Sequence, residues 1–253
     1  MESIEVATLL PGAKKFHESN INQTWKGHVK TNTDTVVVFA KLIPPREICI
    51  EAYCALLGQA LGIPIPKPFL ILADSSSLDV LSPGHHALMF GSEDAAYPSF
   101  RRYAQCKEAM EKLEAFKSSL DVGVFDEWIA NHDRNLGNML YDGGEDFFFI
   151  DHGLAIPNDL LPTMPASDNN ILRVLYSLKT EIEKFRVLRA ASQNITPVCH
   201  SLNLLSIMDS TLAEKYIPSA EINGILSFLS RRLPVLESLI RSRIGIKQTD
   251  MFL

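Results

Sequence analysis

Apolar and polar positions change their rhythm along this chain. The first ninety residues carry strand signals. Thr35-Val36-Val37-Val38-Phe39-Ala40-Lys41-Leu42 is apolar and β-branched, a composition that fits a pleated surface, and the polar run Thr31-Asn32-Thr33-Asp34 ahead of it predicts a turn. Pro44-Pro45 closes that strand. Ile50, Cys54, Leu57 and Leu61 then recur at helical spacing and predict a helix over about 47–61. Gly62 stops it, and Pro64 and Pro66 prevent resumption. Residues 68–72 and 86–90 read as further strands, the second closed by Gly91.

Beyond Gly91 the periodicity turns helical. Helices are predicted over 103–117, with Met110, Leu113 and Phe116 on one face, and over 122–129. Residues 138–151 interrupt this trend. Met139-Leu140-Tyr141 and Phe147-Phe148-Phe149-Ile150 flank Asp142-Gly143-Gly144, and two short apolar runs around Asp-Gly predict a hairpin. Asp168-Asn169-Asn170 reads as a helix start, followed by the stripe Ile171, Val174, Leu175, Leu178, Ile182 and Phe185. Ile222, Ile225, Leu226 and Leu229 predict another helix with Ser219 as N-cap. Pro234 must kink that helix or start a new one, because an interior proline costs about 3 kcal/mol. The pattern divides the chain into a strand-rich part, 1–92, and a mostly helical part, 93–253, an α+β architecture. With no flexible linker at the join, the parts are expected to pack together around a cleft, a favoured place for ligands.

Composition narrows the class. At 253 residues, 46% hydrophobic and 21% charged, the chain has the mix of a globular protein with a sizeable core, which excludes collagenous and disordered classes. A net charge of -6 argues against a strong nucleic-acid binder. No apolar run approaches the roughly 18 residues of a membrane span, and Met1-Glu2-Ser3-Ile4-Glu5 is acidic where a secretory signal is basic. Cys49, Cys54, Cys106 and Cys199 form no CxxC pair and share no zinc-ligand spacing with histidine. They read as reduced thiols, so a cytoplasmic protein is expected.

The most informative stretch is Asn131-His132-Asp133-Arg134-Asn135-Leu136-Gly137-Asn138, between a predicted helix and the first hairpin strand. Asp151-His152-Gly153 follows the second strand. A hairpin folds its ends together, so Asn138 and Asp151 should lie side by side. That places two hard oxygen ligands and a nearby carboxylate at a cleft. Phosphoryl transfer with Mg²⁺ needs this set: Asn138 and Asp151 hold the metal on the phosphates, and Asp133 accepts the proton of the attacking hydroxyl. The Asp-x4-Asn spacing alone is weak, and Asp126 with Asn131 repeats it. That second pair reads as accidental, with Asp126 at a helix start where carboxylates are common.

Lys41 ends an apolar strand, from which its amine can reach a cleft and bind phosphates, with Glu51 on the next helix orienting it. Glu47 is the rival for that role. The Phe90-Gly91-Ser92-Glu93 segment is a candidate hinge whose backbone, at Phe90 and Ser92, reads the adenine edge. Ser19-Asn20-Ile21-Asn22-Gln23-Thr24, ahead of Gly27, could fold over phosphates but holds no GxGxxG. His85-His86 reads as a turn, and Arg231-Arg232 as a solvated helix face.

Lys41 on a strand, Glu51 on a helix, the Asp133-Arg134-x-x-x-Asn138 loop and Asp151 after a hairpin resemble the protein-kinase-like superfamily, which includes phosphoinositide kinases. The details are more similar to its HipA-like branch: Asp-Arg rather than Arg-Asp in the loop, Asp151-His152-Gly153 rather than Asp-Phe-Gly, and the helix from Glu51-Ala52-Tyr53 with its exit Leu61-Gly62-Ile63-Pro64-Ile65-Pro66. The segment Ile225-Leu226-x-Phe228-Leu229-x-x-Arg232-x-x-x-Leu236 is similar to the tail of short HipA-like domains. The resemblance implies a two-lobed protein-kinase-like fold, with a strand-rich N-lobe and a mostly helical C-lobe carrying a catalytic hairpin. It implies an enzyme that uses ATP and Mg²⁺ and phosphorylates a serine or threonine of a protein. In that reading Lys41 and Glu51 anchor the phosphates, Asp133 is the base, and Asn138 and Asp151 bind the metal.

HipA toxins are also silenced by a partner and by autophosphorylation in the phosphate loop, which implies a toxin–antitoxin kinase, an inhibitory or antitoxin partner, and Ser19 as the modified residue. The chain departs from the family in its glycine-poor phosphate loop, in Asn135 where related loops often carry His, and in having no room for the N-terminal extension of full-length toxins. Nucleic acid is not expected as a partner except through another protein or a tRNA-related substrate. Two other readings stay open: transfer to a small-molecule or lipid hydroxyl, since aminoglycoside-type phosphotransferases have a similar Asp-x4-Asn loop, and a non-catalytic domain that binds nucleotide or a partner.

Overall fold

The computed structural model describes residues 3–16, 22–176 and 179–246. The first part is built from β1 (Glu5–Leu9), β2 (Lys14–Lys15), β3 (Gln23–Lys30), β4 (Thr35–Leu42), helix α1 (Pro45–Ala60), β5 (Pro68–Asp74) and β6 (His86–Glu93). The strands pair in the order β1-β5-β6-β4-β3-β2, and β1 also pairs with β3, so the sheet closes on itself. Only the β1–β5 pairing is parallel among the described strands. Trp25, Val29, Val38, Phe69, Ile71 and Met89 fill the interior, while Lys26, His28 and Lys30 face outward from β3.

Gly27 makes the closure work. A Cβ there would lie 2.8 Å from the Cβ of Ala13 and 3.2 Å from its Cα, and neither atom can rotate away. Gly27→Ala is therefore expected to cost about 1–3 kcal/mol, read as a lower midpoint in denaturant unfolding.

Helix α1 opens with Pro45 in its first turn, where a missing N–H is harmless. It closes as the sequence predicts: Gly62 takes φ +76 and its amide bonds the Gln59 carbonyl. Every residue from Ile48 to Gly58 is buried. The helix is covered on both sides because the barrel packs on one face and the helical part on the other. Tyr53 donates from its hydroxyl to the Leu204 carbonyl at 3.1 Å, and the Ile4 amide donates to Ser210 at 2.7 Å.

The second part contains α2 (Lys107–Ala115), α3 (Ser119–Trp128), the hairpin β7 (Met139–Tyr141) and β8 (Phe147–Phe149), then α4 (Asn170–Tyr176), α5 (Glu181–Gln193), α6 (Ile195–Ser201), α7 (Leu204–Asp209), α8 (Ser219–Arg232) and α9 (Leu236–Arg243). Val122, Phe125, Trp128, Leu172, Leu229 and Ile240 are fully buried at its centre. No described helix is long and apolar enough to cross a membrane.

Several expectations need correction. The helix predicted over 103–117 is a 3-10 turn, Phe100–Tyr103, followed by the shorter α2. The stripe from Ile171 to Phe185 is two helices, because Thr180 and Glu183 form a reciprocal capping box that starts α5 afresh. Ile182 and Phe185 are consequently 68% and 47% exposed instead of buried; Leu178 lies outside the described residues. Ser219 is the first residue of α8 rather than its cap, a position Pro218 takes. Pro234 sits in a 3-10 turn between α8 and α9, so the chain restarts there as expected.

Candidate active site

Lys41 lies at the end of β4, and its strand neighbours Ala40 and Leu42 point to the other side of the sheet, so its stem enters the space beside α1. Its Nζ is 2.6 Å from Glu51 Oε1 and 2.9 Å from Asp151 Oδ1. Glu51, not Glu47, is therefore the helix partner. Glu51 is buried, and its second oxygen accepts the His152 amide at 2.8 Å. One carboxylate on α1 thus ties the barrel lysine to the chain just past Asp151.

Burial works against each of these charges, and their mutual attraction decides the outcome. Burial lowers Lys41, but Glu51 and Asp151 outweigh it and the ammonium is held above its ordinary range. Burial raises Glu51 despite Lys41. Asp151 ends below its ordinary value, since Lys41 overcomes the burial cost. His152 is pushed well below its usual range, first by burial, and stays neutral.

The Asp133 loop is braced from behind. The sequence places Asp126 at a helix start, in an accidental pair; in the structure it lies near the end of α3, fully buried, facing the loop. Its carboxylate accepts Arg134 Nε at 3.0 Å and Nη2 at 3.1 Å, a two-pronged ion pair, and Asn131 Nδ2 at 3.1 Å. Burial raises Asp126, with Arg134 pulling the other way. Arg134 Nη1 donates to the Asn138 carbonyl at 2.9 Å and also to the Ile150 carbonyl. One buried guanidinium thereby gathers the loop and both ends of the hairpin.

Asn138 and Asp151 are brought together by that hairpin. The Ile150 amide bonds the Asn138 carbonyl at 3.0 Å, and Met139 pairs with Phe149. Asp151 then takes φ +64, a left-handed conformation that aspartate tolerates better than most residues and that turns its carboxylate toward Lys41. Asn138 Nδ2 donates to the Asp133 carbonyl at 2.7 Å and to Asp133 Oδ2 at 3.2 Å, which leaves Oδ1 of Asn138 available for a cation. Asn135 Nδ2 reaches the Asp133 carbonyl at 3.1 Å, and its Oδ1 accepts the Gly137 amide at 2.7 Å. Two amide side chains therefore orient Asp133, which stays partly exposed. The arrangement offers a fixed ammonium, two hard oxygens and an oriented, accessible carboxylate.

Other candidates fall elsewhere. Strand β6 runs on to Glu93, so Phe90 pairs with Lys41, Ser92 pairs with Phe39 and Pro68, and the Phe90 side chain is buried. The amides of Glu93 and Asp94 donate to Lys67 and Val37. The backbone at Phe90 and Ser92 is engaged in the sheet, and backbone clear of the strand begins after Asp94. Thr24 is buried in β3; Ser19, Asn20 and Ile21 lie outside the described residues. His85 closes a turn, as expected, with its amide on Ser82, but His86 is already the first residue of β6, paired with Asp74. Arg232 is not on a solvated face but fully buried. Asp126, Asn131 and Asn135 were not assigned a role from the sequence, although the repeated Asp-x4-Asn spacing was a usable signal for the first two.

A family model described as HipA-like kinase matches residues 29–169, more than half of the chain and the part that holds Lys41, Glu51, Asp133, Asn138 and Asp151. The crystal structure of a Helicobacter pylori proinflammatory kinase, CtkA, is similar over 91% of this chain and 94% of that one, with a TM-score of 0.58 and 14% identity, a likeness of fold. Comparison with curated proteins yields no match. The chain belongs to the HipA-like kinase family.

Proposed function

We propose that this protein is an ATP-dependent kinase that transfers the γ-phosphoryl group to a serine or threonine hydroxyl of a protein. The observation that carries the reading is the position of Lys41, whose ammonium is held 2.6 Å from Glu51 and 2.9 Å from Asp151 across the join of barrel and helices. Lys41 anchors the phosphates of the nucleotide, and Glu51 holds the amine in place. Asp133 receives the proton of the acceptor hydroxyl as that oxygen attacks, and Asn135 and Asn138 keep its carboxylate aimed.

The donor chemistry fits Mg²⁺. Asn138 Oδ1 and the Asp151 carboxylate are hard oxygens on adjacent hairpin ends, and Mg²⁺ is commonly held by one or two such ligands together with substrate phosphates. When bound, Mg²⁺ neutralises charge on the phosphate oxygens. The Lys41–Asp151 ion pair must loosen so that both groups can turn to the nucleotide, while Glu51 retains the lysine.

Calorimetry with ATP and Mg²⁺ tests the anchoring role. Lys41→Met removes a charge-assisted contact, and ATP binding is expected to weaken about ten- to hundredfold. A melting curve for the variant separates loss of contact from loss of fold. Unchanged affinity in a folded Lys41→Met protein would remove Lys41 from the site.

A further inference from the structure

The Asp133 loop is held from behind by the buried Arg134, and a second arginine reaches it from the exposed side. Arg101 belongs to the 3-10 turn Phe100–Tyr103, and its Nη2 donates to Asn135 Oδ1 at 3.3 Å. The same oxygen accepts the Gly137 amide at 2.7 Å. At its other end the Asn135 amide faces Asp133: Nδ2 donates to the Asp133 carbonyl at 3.1 Å and lies 3.4 Å from Asp133 Oδ1. A neutral side chain thus stands between an exposed guanidinium and the carboxylate proposed to receive the proton.

The sequence makes room for this contact and fixes its base. A Cβ on Gly137 would lie 2.8 Å from Asn135 Oδ1 and 3.0 Å from Arg101 Cζ, and would overlap Nη2, so glycine is what lets the guanidinium lie across the loop. The turn that carries Arg101 is itself anchored. Ser99 caps it, with Oγ accepting the Arg101 amide at 3.3 Å, and Tyr141 donates its amide to the Pro98 carbonyl at 3.0 Å. Phe100 is fully buried against the rings of Tyr141 and Phe147, whose centroids are 5.5 and 5.4 Å away. Arg101 therefore starts from the same hairpin that brings Asn138 to Asp151.

Orientation is what the contact supplies. The terminal torsion of asparagine is broad, and half a turn exchanges its oxygen with its NH2 group. Turned round, Oδ1 would face the Asp133 carbonyl and carboxylate, acceptor against acceptor. Donors on the oxygen side hold the amide the right way, and one of them is charged, which makes the stronger kind of hydrogen bond. We infer that Arg101 is a positioning residue for phosphoryl transfer: it fixes the Asn135 amide and, through it, the aim of the Asp133 carboxylate. The inference rests on the kinase reading and adds to it a residue outside the set of Lys41, Glu51, Asp133, Asn138 and Asp151. Because Arg101 acts through Asn135, removing it slows transfer without weakening ATP binding, and has no further effect once Asn135 is gone.

Two measurements test this on Arg101→Met, which keeps the stem and removes the donors, and on Arg101→Lys. Hydrogen exchange needs no substrate. Exchange at the Gly137 amide, whose acceptor is Asn135 Oδ1, is expected to quicken about tenfold in Arg101→Met, with the Ile129 and Phe149 amides unchanged. Single-turnover labelling with γ-labelled ATP, Mg²⁺ and a mixed library of serine and threonine peptides is expected to slow about tenfold in Arg101→Met and less in Arg101→Lys, with the ATP dissociation constant and the half-saturating peptide concentration within about twofold. In an Asn135→Ala background, adding Arg101→Met is expected to change the rate by less than about twofold. Unchanged exchange at Gly137 overturns the hold on Asn135. Weaker ATP or peptide binding, or a full tenfold loss on top of Asn135→Ala, overturns the positioning role, since Arg101 would then touch a substrate itself. A wild type that labels no peptide contradicts the protein-kinase reading and the catalytic use of the contact with it, whereas the exchange result still decides whether Arg101 holds Asn135.

Discussion

Asp133→Asn is expected to lower phosphoryl transfer by about 10²–10⁴-fold, the usual worth of a positioned general base. The asparagine keeps the shape, so the amides of Asn135 and Asn138 and the hairpin they touch need not move far. ATP affinity is expected to stay within about twofold, because the proposed nucleotide contacts belong to Lys41 on β4 and to the hairpin ends. Single-turnover assays beside calorimetry make the comparison. Retained transfer in Asp133→Asn would assign proton removal to another group, and loss of ATP binding would mean the loop supports the nucleotide instead of the acceptor.

The second large effect is on stability. Arg134→Met is expected to cost about 3–5 kcal/mol in denaturant unfolding, since it leaves the Asp126 carboxylate buried without its counter-charge. It also removes the donors to the Asn138 and Ile150 carbonyls, so the two hairpin ends lose their common tie. The double variant Asp126→Leu with Arg134→Met should recover part of that loss, because a buried ion pair replaced as a unit costs far less than one broken in half. A loss under about 1 kcal/mol in the single variant would show that the pair does not hold the loop.

Local features of the site were legible in the sequence, and features fixed by distant partners were not. Lys41 and Glu51 stand on elements with plain patterns, a β-branched run and an apolar helix, and the Asp-Gly turn announced the hairpin that joins Asn138 to Asp151. Strand β3 carries no plain strand pattern, because its inward positions are Trp25, Gly27 and Val29, and a glycine breaks the apolar alternation at the point where Ala13 crowds it. Strand β1 pairs in parallel with β5, a contact far apart in sequence with no local signature. The break at Thr180 was visible as Thr-x-x-Glu, yet the longer apolar stripe masked it. Arg232 reads as a solvated-face charge because its partner Glu127 lies 105 residues away, and only the folded chain shows that the two pair.

The kinase account stands or falls on whether the Asp151 carboxylate beside Lys41 serves phosphoryl transfer. The direct measurement is incubation of the purified protein with γ-labelled ATP, Mg²⁺ and a cell lysate, in parallel with Asp151→Ala. The account predicts label on serine or threonine of at least one protein with the wild type and none above background with the variant. Equal labelling by the two proteins, or none by a wild type that binds ATP, would contradict it.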